Sequence, residues 1–321
     1  MPSGLVLIDK PAGWTSHDVV AKTRRLAGTR KVGHAGTLDP MATGLLILGV
    51  ESATKLLTFI VGADKTYRAT IRLGASTVSD DRESEFVEHA APGAIAALTI
   101  EQINTQIEKL TGKIEQVPSS VSAIKIDGKR AYSMVRSGQE VELKARPVTI
   151  SRFEVIAAPR AAAFENHDFL DIDVEVDCSS GTYIRALARD LGQALGVGGH
   201  LTELRRTRIG EYSVEQAQNI EALTREDSPE PLAVLPLAEA ARAQFAVRVL
   251  SQQDVIDLGH GKRLAHNGEG ESEFAGIDEA GRLIAILQRS GSQIKSVVVF
   301  AEELNQHLQA NKTNEIANKE A

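Results

Sequence analysis

Asp39 stands in the stretch GHAGTLDPMATG, residues 33–44, among three glycines, a histidine and two threonines. Glycines let another molecule approach the backbone of a loop closely, and Pro40 restricts the chain next to Asp39. A carboxylate presented in this way can act as a nucleophile towards an electrophilic sugar or base carbon. On composition alone, an aspartate that forms a turn is the more common explanation of an Asp-Pro pair.

Other chemical signals are scarce in the sequence. There is no glycine-rich phosphate loop that ends in Lys-Ser or Lys-Thr, no dinucleotide fingerprint after a strand and no pair of histidines at metal-ligand spacing. Cys178 is the only cysteine, which excludes an internal disulfide and a cysteine-based metal cluster. We therefore expect neither a cofactor nor a metal ion.

Length and composition are those of a globular protein. The 321 residues, of which 42% are hydrophobic, are enough for one large domain and a small one. No apolar run reaches about eighteen residues, and the N-terminus lacks a basic region followed by an apolar stretch. Together with the lone cysteine, these features predict a cytoplasmic protein without a membrane span.

The net charge of −7 is distributed unevenly along the chain. Residues 1–210 carry 26 Lys and Arg against 25 Asp and Glu, whereas residues 211–321 carry 10 against 18. The stretch LRRTRIG at 204–210 places three arginines in four positions. The first part can therefore offer a basic face to a phosphate backbone, although solvated surface charge is the simpler explanation of each cluster alone.

Hydrophobic patterning predicts several strands and a mixed α+β protein. Short apolar runs at 4–9 and 45–50 are typical of buried strands, and the second directly follows the glycine-rich loop. Apolar and polar residues alternate over 66–73 and over 170–178, as in strands with one buried face. Tyr67 belongs to the buried set of its strand. A position in the core is therefore the simplest explanation of this tyrosine.

A helix is predicted after the Ser-Ser-Gly turn that follows the last of these strands. In TYIRALARDLGQALG, residues 182–196, apolar side chains recur at helical spacing. Arg185 and Arg189 lie four residues apart, on a flank beside this apolar stripe. Taken alone, Arg185 is best explained by an ion pair with one of the acids on the preceding strand.

Composition also indicates how the chain is divided. We expect a large domain over 1–240, interrupted by a long excursion at 116–148 that is rich in turn residues and contains six Lys or Arg. Acids and prolines at 221–236 predict a seam between domains. Short strand-like pieces with Gly-rich turns predict a small β-rich module over 245–304, and the polar tail 305–321 is expected to be frayed.

Five blocks of the sequence together resemble a known family. Over residues 4–210, their order and spacing resemble the bacterial tRNA pseudouridine-55 synthases of the TruB type; the blocks are KPAGWTSHDVV, KVGHAGTLDPMATGLLILGV, KTYRATIRLG, QVPSSVSAIKIDGKRAY and CSSGTYIRALARDLG. The resemblance implies a pseudouridine synthase fold with a mixed, largely antiparallel sheet. It also implies a small C-terminal RNA-binding module of the PUA type, although the acidic last third of the chain resembles that module only weakly.

The resemblance implies an enzyme that isomerises the T-loop uridine at tRNA position 55 to pseudouridine. Such an enzyme breaks the N-glycosidic bond and rejoins the base through C5, after flipping the uridine out of the folded RNA loop. Asp39 matches the catalytic aspartate of the family. Its carboxylate could attack C1′ of the ribose or C6 of the base, or remove a sugar proton to form a glycal, and all three routes stay open.

Further residues match the family's site. Tyr67 matches the tyrosine that stacks on the flipped base and could relay the proton lost from C5, and Arg185 matches the arginine that pairs with the catalytic carboxylate. His34 matches the histidine that fills the vacated stack. The remaining expected substrate-binding residues are Tyr183, Leu204 and Lys10 and, in a thumb formed by 116–148 that closes on the T-arm, Lys125, Lys129 and Arg130.

The resemblance also implies an RNA partner and an oligomeric state, and the sequence departs from the family pattern in one turn. The partner is the T-arm of tRNA, and a monomer suffices because the family's pocket is complete within one chain. After Gly74 the sequence ASTVSDDRESEF departs from the family pattern, with Asp81 retained and Ser84 where glycine is usual.

Two other functions are compatible with parts of the sequence. A tRNA-binding folding chaperone on the same scaffold would use the basic face but would not need Asp39. A nucleoside or glycoside hydrolase would use Asp39 as the nucleophile, but it would also need a second, acidic carboxyl group, and no matching residue stands out. Product analysis separates the three, because only a synthase yields isomerised RNA of unchanged mass.

Overall fold

The computed structural model describes residues 3–119, 125–126, 129–130, 144–164, 167–225, 227, 230–266 and 271–307. Its helices are α1 (Ser16–Ala27), α2 (Leu57–Val61), α3 (Ile100–Lys109), α4 (Ile184–Ala194), α5 (Leu237–Gln244), α6 (Gln252–Gly259) and α7 (301–307). Its strands are β1 (Gly4–Lys10), β2 (Val32–Ala35), β3 (Thr43–Val50), β4 (Lys65–Leu73), β5 (Ala75–Thr77), β6 (Phe86–His89), β7 (Gly112–Gln116), β8 (Lys125–Ile126), β9 (Lys129–Arg130), β10 (Arg146–Val155), β11 (Arg160–Phe164), β12 (His167–Cys178), β13 (Gly199–Ile209), β14 (Tyr212–Ser213), β15 (Gln218–Asn219), β16 (Leu235–Pro236), β17 (Ala246–Leu250), β18 (Leu264–Ala265), β19 (Glu273–Asp278), β20 (Leu283–Ser290) and β21 (Gln293–Val299).

Twelve of the described strands form one central sheet. Its main path has the order β15-β1-β3-β13-β4-β12-β10-β7, and β2, β11, β14 and β16 pair with strands of this path. The pairs β1–β15 and β3–β13 are parallel, and the other described pairs of this sheet are antiparallel. The expected mixed, largely antiparallel sheet is therefore confirmed.

The two faces of the central strands β4 and β12 differ in chemistry, as their alternation predicts. One face of β4 enters a core that α3 and α4 cover, through Tyr67, Ala69, Ile71 and Leu73. On the other face, Arg72 donates two hydrogen bonds of 2.7 Å to Asp171, and Arg68 contacts Glu175 at 2.7 Å. The acids of β12 thus pair with arginines of the sheet itself, which leaves Arg185 free for other partners.

The helix α4 begins at Ile184, two residues later than the periodicity predicts. The turn before it is held by the Thr182 hydroxyl, which donates to the Ser179 carbonyl at 2.9 Å, and Gly181 has a φ of 87° that favours glycine. The apolar face of the helix packs on the sheet through buried Leu187 and Leu191.

The glycine-rich loop connects β2 to β3, which form an antiparallel pair. At its end, β3 lies so close to β13 that a Cβ on Gly44 would be 2.2 Å from the carbonyl oxygen of Arg206. Gly44 also has a φ of 99°, so only glycine fits this position without strain. This close approach fixes the loop against β13.

The expected excursion leaves the sheet between neighbouring strands. β7 and β10 are paired, with Gln116 opposite Arg146, so the chain between them departs and returns at one place. Within it, the backbones of β8 and β9 pair antiparallel, with Lys125 opposite Arg130. The rest of the thumb predicted over 116–148 falls largely on residues 120–124, 127–128 and 131–143, outside the described residues.

The C-terminal part forms its own five-stranded sheet, in the order β17-β19-β20-β21-β18, together with α6. It does not have a fully separate core. One hydrophobic cluster joins Leu5 and Ile47 of the central sheet, Leu237 of α5, and Ile277 and Phe300 of the C-terminal part. The β-rich module is therefore confirmed as a sheet, whereas its boundaries stay a prediction.

Two connecting segments have contacts with the sheets, and the division into domains stays a prediction. Composition predicts a seam at 221–236; β15 just before it and β16 at its end both pair with β1, at the edge of the central sheet. Composition also predicts fraying from residue 305, but α7 continues to His307, whose Nδ1 lies 2.7 Å from Asp278. Residues 308–321 lie outside the described residues.

Within the described ranges, the structure contains no helix that is long and apolar enough to cross a membrane.

Candidate active site

Asp39 and Arg185 form an ion pair at the surface of the central sheet. Asp39 lies in the loop between β2 and β3, and Arg185 lies in the first turn of α4. Arg185 Nε is 3.0 Å from Asp39 Oδ2, and Arg185 Nη2 donates to Asp39 Oδ1 at 3.1 Å. Such a two-point contact fixes the orientation of a carboxylate as well as its charge. The Arg185 side chain is 6% exposed and that of Asp39 is 36% exposed, so only the carboxylate faces outward.

Arg185 is itself held by the turn that follows β5. Its Nη1 donates to the carbonyl of Ser79 at 2.8 Å and to Asp81 Oδ2 at 3.3 Å. The Asp81 carboxylate is nearly fully buried, and it accepts hydrogen bonds from the Ser79 hydroxyl at 2.5 Å and from the Glu83 backbone at 3.0 Å. Arg185 therefore lies between an inner and an outer carboxylate.

The pKa of Asp39 reflects opposing contributions. The pKa of Asp39 lies above its ordinary value, because burial raises it and the negative charge of Asp81 adds to that, while the positive charge of Arg185 lowers it only in part. The two hydrogen bonds from Arg185 favour the ionised form, which is the form that a nucleophile or a base requires.

A cavity of about 300 Å³ opens beside Asp39. Tyr67 from β4, Tyr183 at the start of α4 and Leu204 from β13 line it together with Asp39 and Arg185. The structure therefore brings five of the sequence-predicted residues to one cavity.

Tyr67 lines this cavity from a buried position. The residue is 7% exposed, and burial raises the pKa of its phenol above the ordinary value, while the positive charge of Arg206 opposes that rise. Tyr67 is thus both a core residue and a cavity residue. A position in the core and a role beside the substrate base are therefore compatible.

Tyr183 is anchored to the segment that enters the thumb. The backbone N–H of Tyr183 donates to Gln116 Oε1 at 2.8 Å, and Gln116 Nε2 donates to the Tyr183 carbonyl at 3.1 Å. Gln116 is the last residue of β7 and is 1% exposed. The start of the thumb and the cavity wall are therefore joined by two hydrogen bonds.

The turn at 79–84, where the sequence departs from the family pattern, is also well bonded. The Ser84 hydroxyl accepts a hydrogen bond of 2.9 Å from the Ser79 backbone, so the serine side chain stabilises the turn. Asp80 has a φ of 60°, and its carboxylate accepts from the Ser119 hydroxyl at 2.6 Å and from Arg189 at 3.1 Å. This turn thus connects the helix α4 to the segment that enters the thumb.

Lys10 is buried and bonded to backbone carbonyls near the glycine-rich loop. Its side chain is fully buried, and Nζ donates to the carbonyls of Pro11 at 2.9 Å, Trp14 at 2.6 Å and Pro40 at 3.2 Å. An ammonium group has three protons, so all of them are used within the protein. Lys10 therefore supports the loop next to Asp39, and its expected contact with RNA stays a prediction. Burial lowers the pKa of Lys10 to about 8.

His34 lies on β2 beside the glycine-rich loop, outside the set of described residues that line the cavity. Its ring meets that of His17 edge to face, with 5.9 Å between the centroids. Among the described residues its buried Nδ1 has no hydrogen-bond partner, and burial lowers the pKa of the imidazole. A neutral, half-buried ring suits stacking, and its role towards RNA stays a prediction.

The three thumb residues expected to bind RNA are described by their backbones alone. Lys125 lies in β8, and Lys129 and Arg130 lie in β9. Their expected phosphate contacts stay a prediction.

Arg206 belongs to the basic stretch 204–210 and lines the same cavity, although the sequence pattern does not single it out from the other arginines there. It lies in β13 directly opposite Tyr67 of β4. Its partners are mainly backbone carbonyls, which leave no trace in a pattern of side chains.

In the part of the chain that the structure describes, no group of His, Cys, Asp and Glu is arranged to hold a metal ion.

Comparison with known families adds to this geometry. Residues 24–184 match the TruB family pseudouridylate synthase (N terminal domain), and residues 185–233 match the tRNA pseudouridylate synthase B C-terminal domain. Residues 245–301 match a third family, tRNA Pseudouridine synthase II, C terminal. The chain belongs to the TruB family. The resemblance of the five sequence blocks is thereby confirmed.

Individual relatives of this TruB chain are similar over nearly their whole length. A tRNA pseudouridine synthase B from Arthrobacter sp. (strain FB24) is 56% identical over 312 residues, which cover 94% of this chain and 97% of that protein. One from Mycobacterium tuberculosis (strain CDC 1551 / Oshkosh) is 51% identical over 297 residues, covering 92% and 95%.

Solved structures are similar to the TruB chain in fold. The structure of an H/ACA RNP bound to a substrate RNA containing 2′-deoxyuridine has a chain with a TM-score of 0.66 and 24% identity, covering 92% of this chain and 84% of that one. A Cbf5-Nop10-Gar1 complex has a chain with a TM-score of 0.65 and the same identity and coverage. The expected fold is thus confirmed.

Proposed function

We propose that this protein is a tRNA pseudouridine synthase that isomerises the uridine at position 55 in the T-loop of tRNA. The observation that carries the proposal is the Asp39 carboxylate, oriented by Arg185 at 3.0 and 3.1 Å on the wall of a cavity that also contains Tyr67. The names and high identity of the relatives support the same activity.

The substrate uridine is flipped out of the T-loop into this cavity, because the ring is otherwise stacked inside the RNA. Tyr67 and Leu204 give apolar surface on which the base packs, and Tyr183 closes the wall. Asp39 then attacks C1′ or C6, or removes a sugar proton. Each of these routes needs an ionised carboxylate, and the contacts with Arg185 favour that form.

The geometry argues against a glycoside hydrolase. Among the described residues that line the cavity, Asp39 is the sole carboxylate. Asp81 is 3% exposed behind Arg185, so it is shielded from a bound nucleotide and unsuited to act as an external acid. A folding chaperone without catalysis has no use for an oriented, outward-facing carboxylate, although chaperone activity alongside catalysis is compatible with the site.

The partner is the T-arm of tRNA, held by the thumb and by the basic first part of the chain. The protein acts as a monomer in the cytoplasm. The completeness of the cavity within one chain supports the monomer, and the tRNA substrate of the named relatives supports the location.

Asp39→Asn, assayed on an unmodified tRNA transcript, tests the proposal. The amide is nearly isosteric but cannot act as a nucleophile or base, so we expect the single-turnover rate to fall by about a thousandfold or more. Binding of tRNA should stay within about a few-fold of the parent, since charge steering by one residue is small.

Asp173→Asn is the matched control, because Asp173 pairs with Arg160 and Thr70 on the opposite face of the sheet. This variant should retain turnover. Release of free uracil by the parent would establish a hydrolase instead, and unaltered RNA with tight binding would establish a chaperone.

A further inference from the structure

Arg206 is a buried cation without a carboxylate partner among the described ion pairs. The residue is 1% exposed and is one of the largest fully buried side chains. Its neighbours Arg205 and Arg208 form ion pairs with Asp9 and Asp177, at 2.7 and 3.7 Å. Arg206 instead points to the cavity side of β13.

The hydrogen bonds of Arg206 go to the backbone of the glycine-rich loop and of β3. Nε donates to the Leu45 carbonyl at 2.8 Å, and Nη2 donates to the Gly36 carbonyl at 3.1 Å. Nη1 lies 3.5 Å from the Thr37 carbonyl. These bonds satisfy donors but do not neutralise the charge, because a carbonyl is a dipole and not an anion.

A buried charge without a counter-ion is unfavourable, and an apolar side chain of similar size would avoid this cost. A role for the charge is therefore needed to explain the residue. Tyr67 is the neighbour that can use it. The two residues are direct partners across the antiparallel pair of β4 and β13, so their side chains leave the sheet on the same face. Both residues also line the cavity beside Asp39.

Resting on the proposed function, we propose that Arg206 is a positioning residue that orients the Tyr67 hydroxyl and stabilises its phenolate form while the proton is removed from C5 of the base. The Tyr67 hydroxyl first loses its proton to solvent. After the N1–C1′ bond has broken and the C5–C1′ bond has formed, the C5–H bond breaks, its electron pair restores the ring double bond, and the phenolate oxygen accepts the proton. N1, freed from C1′, takes a proton from solvent, so the overall change is an isomerisation.

Burial alone would disfavour the phenolate form of Tyr67, because it raises the pKa of the phenol. The guanidinium opposes that effect at short range in a site of low dielectric constant, where a single charge acts strongly. Arg185 thus contacts the carboxylate of Asp39, and Arg206 lies opposite Tyr67 on the same cavity.

A double-mutant cycle separates this role from simple support of the loop. Arg206→Lys keeps the positive charge but loses the fork of donors, so we expect it to slow single-turnover isomerisation by about tenfold or more in the parent. In the Tyr67→Phe background, which is itself slow, the same change should cost less than about threefold, because the hydroxyl on which Arg206 acts is absent. Arg208→Lys is the control on the same strand and should have little effect in either background.

A support role for the loop around Asp39 predicts the opposite result. The loss caused by Arg206→Lys would then be equally large with and without the Tyr67 hydroxyl, and additive losses in an active parent would overturn the inference. A parent that forms no pseudouridine would overturn the proposed function instead, so the two failures are distinguishable.

The pH profile supplies a second measurement. If the phenolate is required, the rate rises with pH through the pKa of Tyr67. Removing the positive charge raises that pKa, so Arg206→Gln should move the rising limb to higher pH, whereas Arg206→Lys should move it less. An unshifted limb in folded Arg206→Gln, judged by its circular dichroism, contradicts the proposal. Should that variant fail to fold, the lysine cycle decides.

Discussion

At the residue scale, the use of a charged side chain depends on how many of its hydrogen-bonding positions the fold has already filled. Lys10 donates all three of its protons to backbone carbonyls, so none is left for an RNA phosphate. Asp39 differs, because 36% of its side chain stays exposed while Arg185 holds both oxygens. Both lie in blocks that resemble the family, and only their surroundings distinguish a support from a candidate nucleophile.

Lys10→Met tests this distinction. The apolar side chain leaves the carbonyls of Pro11, Trp14 and Pro40 without their donor, so we expect unfolding by urea to become easier by about 1–3 kcal/mol at neutral pH. The salt dependence of tRNA binding should be unchanged. A slope that falls by roughly 0.7 to 0.9 would mean that Lys10 contacts a phosphate after all.

The same variant carries a prediction on pH. Burial lowers the pKa of Lys10 from its ordinary 10.5 to about 8, so the folded protein binds fewer protons than the unfolded chain between these values. Stability therefore gains a favourable contribution as pH rises from about 8 to 10.5. Lys10→Met lacks this contribution, so the difference in unfolding free energy between parent and variant should widen over that range. A constant difference would contradict the lowered pKa.

At the element scale, the sequence predicts β4 and β12 because each has one buried and one charged face, which alternate along the chain. These strands are confirmed. The partners of Arg185 are not predictable in that way, since Asp81 and Asp39 lie 104 and 146 positions away. The bonds of Arg206 to backbone carbonyls are equally invisible, so resemblance to a family, and not patterning, pointed to the site.

The thumb carries the next prediction. If its basic residues bind phosphates, replacing Lys125, Lys129 and Arg130 together with alanine should weaken tRNA binding. The salt slope should fall by roughly 0.7 to 0.9 for each phosphate that the variant no longer neutralises. Turnover of bound RNA should survive, because Asp39, Tyr67 and Arg185 stay in place in the cavity. A salt titration of the variant beside the parent measures both the affinity and the slope.

The matched control places three alanines in the acidic C-terminal part, at the exposed Lys262, Arg263 and Lys295. This variant removes the same charge but should leave the salt slope unchanged. An equal slope for the thumb variant and the parent would place the RNA path elsewhere on the protein.

At the scale of the whole molecule, the C-terminal sheet and the central sheet share hydrophobic packing. Phe300 is fully buried in the cluster that contains Leu5 and Leu237, and Lys55 lies 5.8 Å from the centre of its ring. Lys55 also donates to the Val299 carbonyl at 2.8 Å. The acidic last third therefore stabilises the domain that contains the site, whether or not it binds RNA.

This shared core predicts that the two sheets unfold together. Trp14 is the only tryptophan and packs beside the central sheet, so its fluorescence reports on that part alone, whereas circular dichroism reports on both sheets. Phe300→Ala should lower the stability by about 3–5 kcal/mol and should shift the Trp14 transition in urea together with the dichroism. Leu258→Ala, inside the separate C-terminal cluster, should also shift both signals if the coupling holds. An unchanged Trp14 midpoint, with a separate earlier loss of dichroism, would instead mean that the C-terminal sheet unfolds on its own and that the shared packing contributes little to the active-site domain.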